Sequence, residues 1–329
     1  MRLLFVADPF DGLDPGHDST VAMIEAAQSQ RHEVWGCIAS DLSIGPEGAE
    51  ASVRQLRVEP AKLDESGRWV VNDHWLDMDA PVLRPLSDFA VVSMRTDPPV
   101  DNAYLRATYL LDHVDPTRTV VVNRPSGLRN ANEKLYAFHH YDLMPESLVS
   151  ADRARITEFV NRIGVTVGKP TDGMAGRGIL LLRPDDGNLA SIIDLMTDRG
   201  RTQIVVQAFI PEVKSGDRRV IVIDGEAVGS VARLATGTDF RCNMATGAHT
   251  RADAVDDDVE RIVESLRPTL LRDGLWFVGL DVIGRYLSEI NVTSPTGIRE
   301  VHALTGIDVA DRYITFLEDL HLRETAVVR

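Results

Sequence analysis

Trp276–Gly284, WFVGLDVIG, and Glu289–Glu300, EINVTSPTGIRE, are the two strings on which the fold of this chain turns. Both open as apolar runs that read as strands, and Gly284-Arg285-Tyr286 stands between them where a turn is needed. Side chains alternate along a strand, so Glu289 and Asn291 share a face. A three-residue loop would set Asp281 directly opposite Glu289 on that face, whereas a two-residue loop would turn Asp281 the other way. The three-residue register gathers two carboxylates and an amide, oxygen ligands of the kind a hard cation such as Mg²⁺ takes. Two acids on a solvated strand face are the plainer reading. Against it, Asp281 sits inside apolar VGLDVIG, where an unpaired carboxylate is unfavourable.

Upstream, Gly168–Gly178 reads GKPTDGMAGRG. Glycines at this density let a backbone bend tightly and aim its N–H groups at an anion, and Lys169 adds a fixed charge just before the bend. No GK[ST] follows, so this is not a Walker A loop, and an ordinary flexible loop remains the alternative. Lys134, in NANEKL and expected on a helix, is a second candidate for phosphate. Val205–Glu226, VVQAFIPEVKSGDRRVIVIDGE, gives a strand that can offer backbone groups and apolar side chains to a planar ring. Asp217, Arg218 and Arg219 begin the next strand. Alternation lets only one of the two arginines face a site, where it would suit a carboxylate or a transferring phosphoryl group.

The first 125 residues alternate short apolar runs (Leu3–Ala7, Trp35–Ala39, Phe89–Met94, Thr119–Val122) with helical stretches such as Asp101–His113. That pattern predicts an α/β unit on a parallel sheet, with Asp18 or Ser19 capping the first helix. Pro125-Ser126-Gly127 reads as a boundary and Val205–Ile210 as the start of a third region. The 329 residues suffice for two or three packed units. A net charge of −15 argues against a nucleic-acid partner. No apolar stretch approaches the roughly 20 residues of a membrane span. Two cysteines, Cys37 and Cys242, make a disulfide framework improbable and suit a reducing cytoplasm. His139 and His140 are adjacent and lack a metal-site spacing, and no string suggests a covalent nucleophile, Cys242 included.

In order and nearly end to end, these strings resemble the bacterial glutathione synthetases of the ATP-grasp superfamily. The resemblance is carried by DPFDGLDPGHDST (8–20), SMRTDPPVD (93–101), VVNRPSGLRNANEKL (121–135), KPTDGMAG, GDRRVIVIDGE and VGLDVIG…EINVTSPTGIRE. It departs from the family pattern at Thr96, at Ala175 and through 232–250. It implies an α/β chain: an ATP-grasp fold preceded by an N-terminal α/β (pre-ATP-grasp) domain. The units would be an N-terminal substrate-binding domain at 1–125, a central lid domain at 126–203 and a C-terminal domain at 204–329. Within the last, 236–253 would be a flexible loop that closes over substrates.

The resemblance further implies that Lys134, Lys169, Gly173, Met174, Ala175, Gly176 and Gly178 hold the phosphates of ATP. Gln207, Ala208, Phe209 and Ile210 would line the adenine pocket, with Asp217 beside it. Asp281, Glu289 and Asn291 would hold Mg²⁺, or Mn²⁺ in its place. Arg219 would stabilise an acyl phosphate, assisted by Arg233, Arg241 and Asn243. Asp18, Ser19, Arg95, Asn291, Thr293, Ser294, Pro295 and Thr296 would place the substrates. The implied reaction joins γ-glutamylcysteine to glycine at the expense of ATP, in a cytoplasmic homo-oligomer, a tetramer, whose partners are small molecules and neither nucleic acid nor membrane. A ligase making another peptide-type product, or a non-catalytic nucleotide-binding protein, are the alternatives; retention of Asp281, Glu289, Asn291, Arg219 and both lysines weighs against the second.

Overall fold

RLLFVA at the start is buried at every position after Arg2, as befits a strand covered on both faces. It is β1 (Arg2–Ala7) of a computed structural model that describes residues 1–174, 176–235 and 249–328. The N-terminal region continues with α1 (Ser19–Ser29), β2 (Glu33–Ile38), β3 (Leu42–Gly45), β4 (Gly48–Val58), a small hairpin of β5 (Lys62–Leu63) and β6 (Trp69–Val70), β7 (Leu76–Met78), β8 (Val82–Pro85), β9 (Val91–Met94), α2 (Asn102–Leu111) and β10 (Val120–Val122). The main sheet runs β10-β9-β1-β2-β4-β3, with β7 and β8 also on β4. Its first four strands are parallel, as the alternation predicts. From β4 onward it is antiparallel, so the sheet is mixed. Asp18 caps α1 through its carboxylate, bonded to the Thr20 and Val21 N–H groups.

Pro125-Ser126-Gly127 is helical and not a loop. It opens α3 (Pro125–Asn130), where a first-turn proline loses no hydrogen bond. Gly127 serves close packing, since a Cβ there would lie 2.2 Å from the Asp273 carbonyl oxygen. Lys134 lies in a turn beyond this helix rather than on one.

The central sheet contains β11 (Ser147–Ser150), β12 (Thr166–Pro170), β13 (Leu180–Leu182) and β14 (Ile204–Ala208), with α4 (Arg153–Ile163) and α5 (Leu189–Met196) packed on it. Its order is β11-β14-β12-β13, antiparallel throughout. A boundary at 203/204 therefore cuts this sheet: β14 belongs to its middle and does not begin a third region. Periodicity identifies a strand but not its partners.

The last region comprises β15 (Asp217–Ile223), β16 (Glu226–Leu234), β17 (His249–Asp253), α6 (Asp257–Asp273), β18 (Phe277–Ile283), β19 (Tyr286–Asn291), α7 (Ile298–Thr305) and α8 (Val309–Val328). The sheet order is β17-β16-β15-β18-β19. The segment read as a flexible loop thus ends in an edge strand, since 249–253 pair with β16. Its other residues, 236–248, lie outside the described residues.

The cores sort these sheets. Leu4, Val6 and Val92 share one cluster with Val220, Val222 and Leu280, and Leu3 and Phe5 share a second with Ile221, Phe277 and Tyr313. The first and last sheets are thereby fused. The central sheet keeps its own core, built from Ile156, Phe159, Val160, Ile193, Ile204 and Val206 among others. Among the described residues no helix is long and apolar enough to cross a membrane.

Candidate active site

A cavity of about 240 Å³ lies between the central sheet and the β15–β19 sheet, with the residues after β9 at its rim. The β18–β19 hairpin supplies its floor. Ile283 pairs with Tyr286, so the turn is the two residues Gly284 and Arg285, with Gly284 at φ +58°. That loop length alone would turn Asp281 away from Glu289. The two nonetheless pair, because Ser288 is an extra residue forming a β-bulge between the Val282–Leu287 and Asp281–Glu289 pairs. The expected juxtaposition stands, but its cause is a bulge and not a three-residue loop. Bulges re-aim side chains beside functional sites. Here the bulged Ser288 accepts a hydrogen bond from Lys169 Nζ at 2.9 Å.

On β15 the alternation of side chains separates the two arginines. Arg218 pairs with Asp253 and Asp256 on one face. Arg219 faces the cavity, where its Nε donates to Asp281 Oδ1 at 2.7 Å and its Nη1 to the Thr296 carbonyl at 3.0 Å. Arg233 on β16, opposite Asp217, grips that residue through two bonds of 2.7 Å and reaches Asp281 Oδ2 at 2.9 Å. Burial works against the charge on Asp281, but Arg219 and Arg233 outweigh it and hold its carboxyl well below the usual range.

The lysines are held differently. Lys134 Nζ donates to the Gly173 carbonyl and to Glu289 Oε1, the latter at 3.2 Å. Lys169 is buried, and that burial lowers its pKa from the ordinary lysine value although Glu289, Asp281 and Asp217 favour its charge. Asn291 donates from Nδ2 to the Gly279 carbonyl at 3.2 Å, which leaves its Oδ1 for another partner. Among the described residues there is no group of three His, Cys, Asp or Glu that could hold a metal. Two carboxylates and an amide oxygen are nevertheless a hard-cation donor set.

The loop Val292–Thr296 is pinned by four side chains from separate segments. Asn123 Nδ2 donates to the Val292 carbonyl at 3.0 Å. Glu133 Oε1 accepts from Val292 N, Thr293 N and Thr293 Oγ1 at 3.0, 3.2 and 2.8 Å. Arg95 Nη2 reaches the Pro295 carbonyl at 3.1 Å, and Arg219 holds Thr296. Burial and neighbouring Glu289 push the Glu133 carboxyl above its usual range. Neither Ser288, Asn123 nor Glu133 was singled out from sequence. Glu133 had a signal in its place beside Lys134; Asn123 had none.

The cavity wall brings together Lys134, Lys169, Gly173, Met174, Gly176, Gln207, Ala208, Phe209, Ile210, Asp217, Arg219, Arg233, Asp281, Glu289, Asn291 and Thr293–Thr296. Gly178 does not line it; at φ +71° it shapes the turn. Asp18, Ser19 and Arg95 do not line it either. Asp18 caps α1, Ser19 is buried, and buried Arg95 donates to Thr20 Oγ1 while stacking over Phe277. Of the three, Arg95 supports the wall, through its bond to the Pro295 carbonyl. Ala175, Arg241 and Asn243 lie outside the described residues, as does Cys242.

Residues 1–129 match the N-terminal domain of prokaryotic glutathione synthetase, and 133–306 match its ATP-grasp domain. The glutathione synthetase of Synechococcus elongatus is 47% identical, over 97% of this chain and 99% of its own length. That of Coxiella burnetii is 39% identical over 99% of each. In fold, the chain is similar to the D-cycloserine synthetase DcsG (TM-score 0.64, 15% identity, 98% and 100% covered) and to the ATP-grasp ligase PsnB (TM-score 0.63, 17% identity, 96% and 98% covered). The chain belongs to the prokaryotic glutathione synthetase family of ATP-dependent C–N ligases, with the ATP-grasp fold.

Proposed function

We propose that the protein joins γ-glutamylcysteine to glycine with ATP. The carboxylate oxygen of the peptide's cysteinyl end attacks the γ-phosphorus, and ADP leaves. The glycine nitrogen then attacks the acyl carbon, and phosphate leaves. The observation that carries this reading is the meeting of Lys134, Lys169, Arg219 and Arg233 around one cavity. The lysines stand where phosphate charge needs neutralising, and burial of Lys169 strengthens its attraction for an anion. Arg219 and Arg233 suit the carboxylate being activated and the charge that develops on it. Asp281, Glu289 and Asn291 are the residues that would hold Mg²⁺ or Mn²⁺, which when bound neutralises phosphate oxygens. Water hydrolyses an acyl phosphate, which gives a central sheet with its own core a purpose as a closing lid.

Phosphate release tests the reading. ATP with γ-glutamylcysteine and glycine together yields phosphate and glutathione in equal amounts; release that is indifferent to glycine overturns it. We further place the enzyme in the cytoplasm as a homotetramer, a reading supported by the family resemblance and checked by light scattering. Buried Cys37, whose thiol burial pushes up beyond ordinary reactivity, is compatible with that compartment.

A further inference from the structure

The acids on the cavity wall are not equally provided for. Asp217 and Asp281 hold Arg233 and Arg219, Glu289 holds Lys134, and Glu133 accepts three N–H and O–H donors. Asp97 also lines the cavity, is exposed, and has no basic nitrogen within 4.0 Å among the described residues. The Ser294 side chain nearby favours its charge. The Asp97 backbone N–H donates to another acid, Asp8 Oδ2, at 2.9 Å. Arg95 is two residues away, but its Nε and Nη2 bond Thr20 and the Pro295 carbonyl, and its Nη1 is buried without a hydrogen-bond partner, Asp97 included. Surrounding protein pushes the Asp97 carboxyl above its usual range, with Asp8 and Asp18 adding to the effect against Ser294 and Arg95. A partly desolvated carboxylate without a cation is the kind of group a ligand ammonium completes.

Topology says where that ligand lies. β1 has β2 on one side and β9 on the other, so the crevice between β1 and β9 is a switch point of the parallel sheet. Open α/β sheets bind ligands outside the carboxyl ends of strands at such points. Asp8 follows β1 and Asp97 follows β9, at those two carboxyl ends. The cations for phosphate and for the activated carboxylate sit elsewhere, on β12, β15, β16 and the turn at Lys134. Asp97 is thus placed for the far end of a peptide whose reacting carboxylate lies at the arginines. We propose that Asp97 binds the free ammonium of the donor peptide and makes the enzyme select for an unblocked γ-glutamyl end. This rests on the ligase reading above.

The test is calorimetric binding, to the full chain with a non-hydrolysable ATP analogue present, of γ-glutamylcysteine and of glutarylcysteine, which lacks only the ammonium. Wild type is expected to prefer the former by about ten- to a hundredfold, the range for a hydrogen-bonded charge. D97N is expected to weaken γ-glutamylcysteine by a similar factor and leave glutarylcysteine unchanged, so that the preference vanishes. D97E, which keeps the charge, restores part of it. An unchanged affinity for the ATP analogue reports that the variant is folded. Equal binding of the two peptides by wild type overturns the proposal without any variant. So does a D97N protein that keeps the preference, or one whose deficit lies in the KM for glycine instead. Because binding is read directly, a chain that discriminates between the peptides yet releases no phosphate refutes the ligase reading and leaves Asp97 assigned.

Discussion

The two sides of the cavity meet the same problem, buried charge, in opposite ways. On the β15–β16–β18 side, Arg219 and Arg233 are 6% and 3% exposed, and each is bonded to a carboxylate that is also buried. On the central side, Lys169 is 8% exposed, and its nearest partner is the neutral hydroxyl of Ser288. One side is electrostatically complete before any ligand arrives. The other is left short of an anion. The cores repeat the contrast, for the arginine side is fused to the N-terminal sheet and the lysine side packs around its own apolar residues. A complete, anchored platform suits chemistry that depends on fixed dipoles and charges. An incomplete, separately packed wall suits a part that binds phosphate and moves.

The most severe way to break this contrast is Asp281→Asn. It leaves two buried guanidinium groups with Asp217 as their remaining carboxylate, and breaking a buried pair destabilises by about 3–5 kcal/mol. A thermal melt reads that loss, and phosphate release is expected to fall about a hundred- to a thousandfold, the cost of losing one strong transition-state interaction. The effect has a pH signature. The folded pKa of Asp281 is depressed, so its contribution is fully present above the unfolded value near 4 and is lost as pH falls below it. The gap in stability between wild type and variant therefore narrows in acid and is constant above about pH 5. A gap that widens on acidification would mean that the arginine side is not held by this carboxylate.

Lys169→Met comes next. It is expected to weaken ATP binding by about a hundredfold, since a buried charge-assisted bond to phosphate is lost. The same change removes an ammonium whose burial is unfavourable, so the ligand-free protein gains on the order of 1 kcal/mol. Tighter folding with poorer binding is the outcome that separates the lysine side from the arginine side. A variant destabilised in the absence of ATP shows instead that Lys169 is already satisfied by Ser288 and the nearby acids.

How far the sequence could be read follows from what each feature depends on. The Asp281–Glu289 pairing was legible because apolar alternation constrains which face a side chain takes, yet it was reached through the wrong loop. A bulge leaves no trace in composition; Ser288 looks like any strand serine. The parallel half of the first sheet was legible because its strands are short apolar runs separated by helices. Its antiparallel half, residues 39–85, lacked such punctuation. The placement of β14 in the central sheet, and of Arg95 behind the cavity wall, depends on partners distant in the chain. Local pattern carries no information about these. Asp97 lies within SMRTDPPVD, but its lack of a salt-bridge partner among the described residues appears only once its neighbours are in place.

The mildest perturbation concerns the residue that ties the two sides together. Glu133 precedes Lys134, whose ammonium touches the Gly173 carbonyl and Glu289, and its Oε1 takes three bonds from Val292 and Thr293. Its backbone oxygen also accepts from Ile290 N at 3.0 Å. One dipeptide therefore sets the spacing between a phosphate lysine and the loop placed for substrate. Glu133→Ala strands two N–H groups and a hydroxyl, and a loosened loop is expected to raise the KM for the peptide about tenfold with a smaller change in kcat. Glu133→Gln keeps an acceptor at Oε1 and is expected to recover most of that loss, because the three donors are neutral groups that need an acceptor more than a charge. The comparison is informative in its order. If Gln is as impaired as Ala, the charge of Glu133 matters in itself, and the residue belongs with the reacting groups rather than with the loop it positions. If neither variant changes the KM, the loop is held well enough by Asn123, Arg95 and Arg219, and the anchored side of the cavity extends through Val292–Thr296 without help from the segment that carries Lys134.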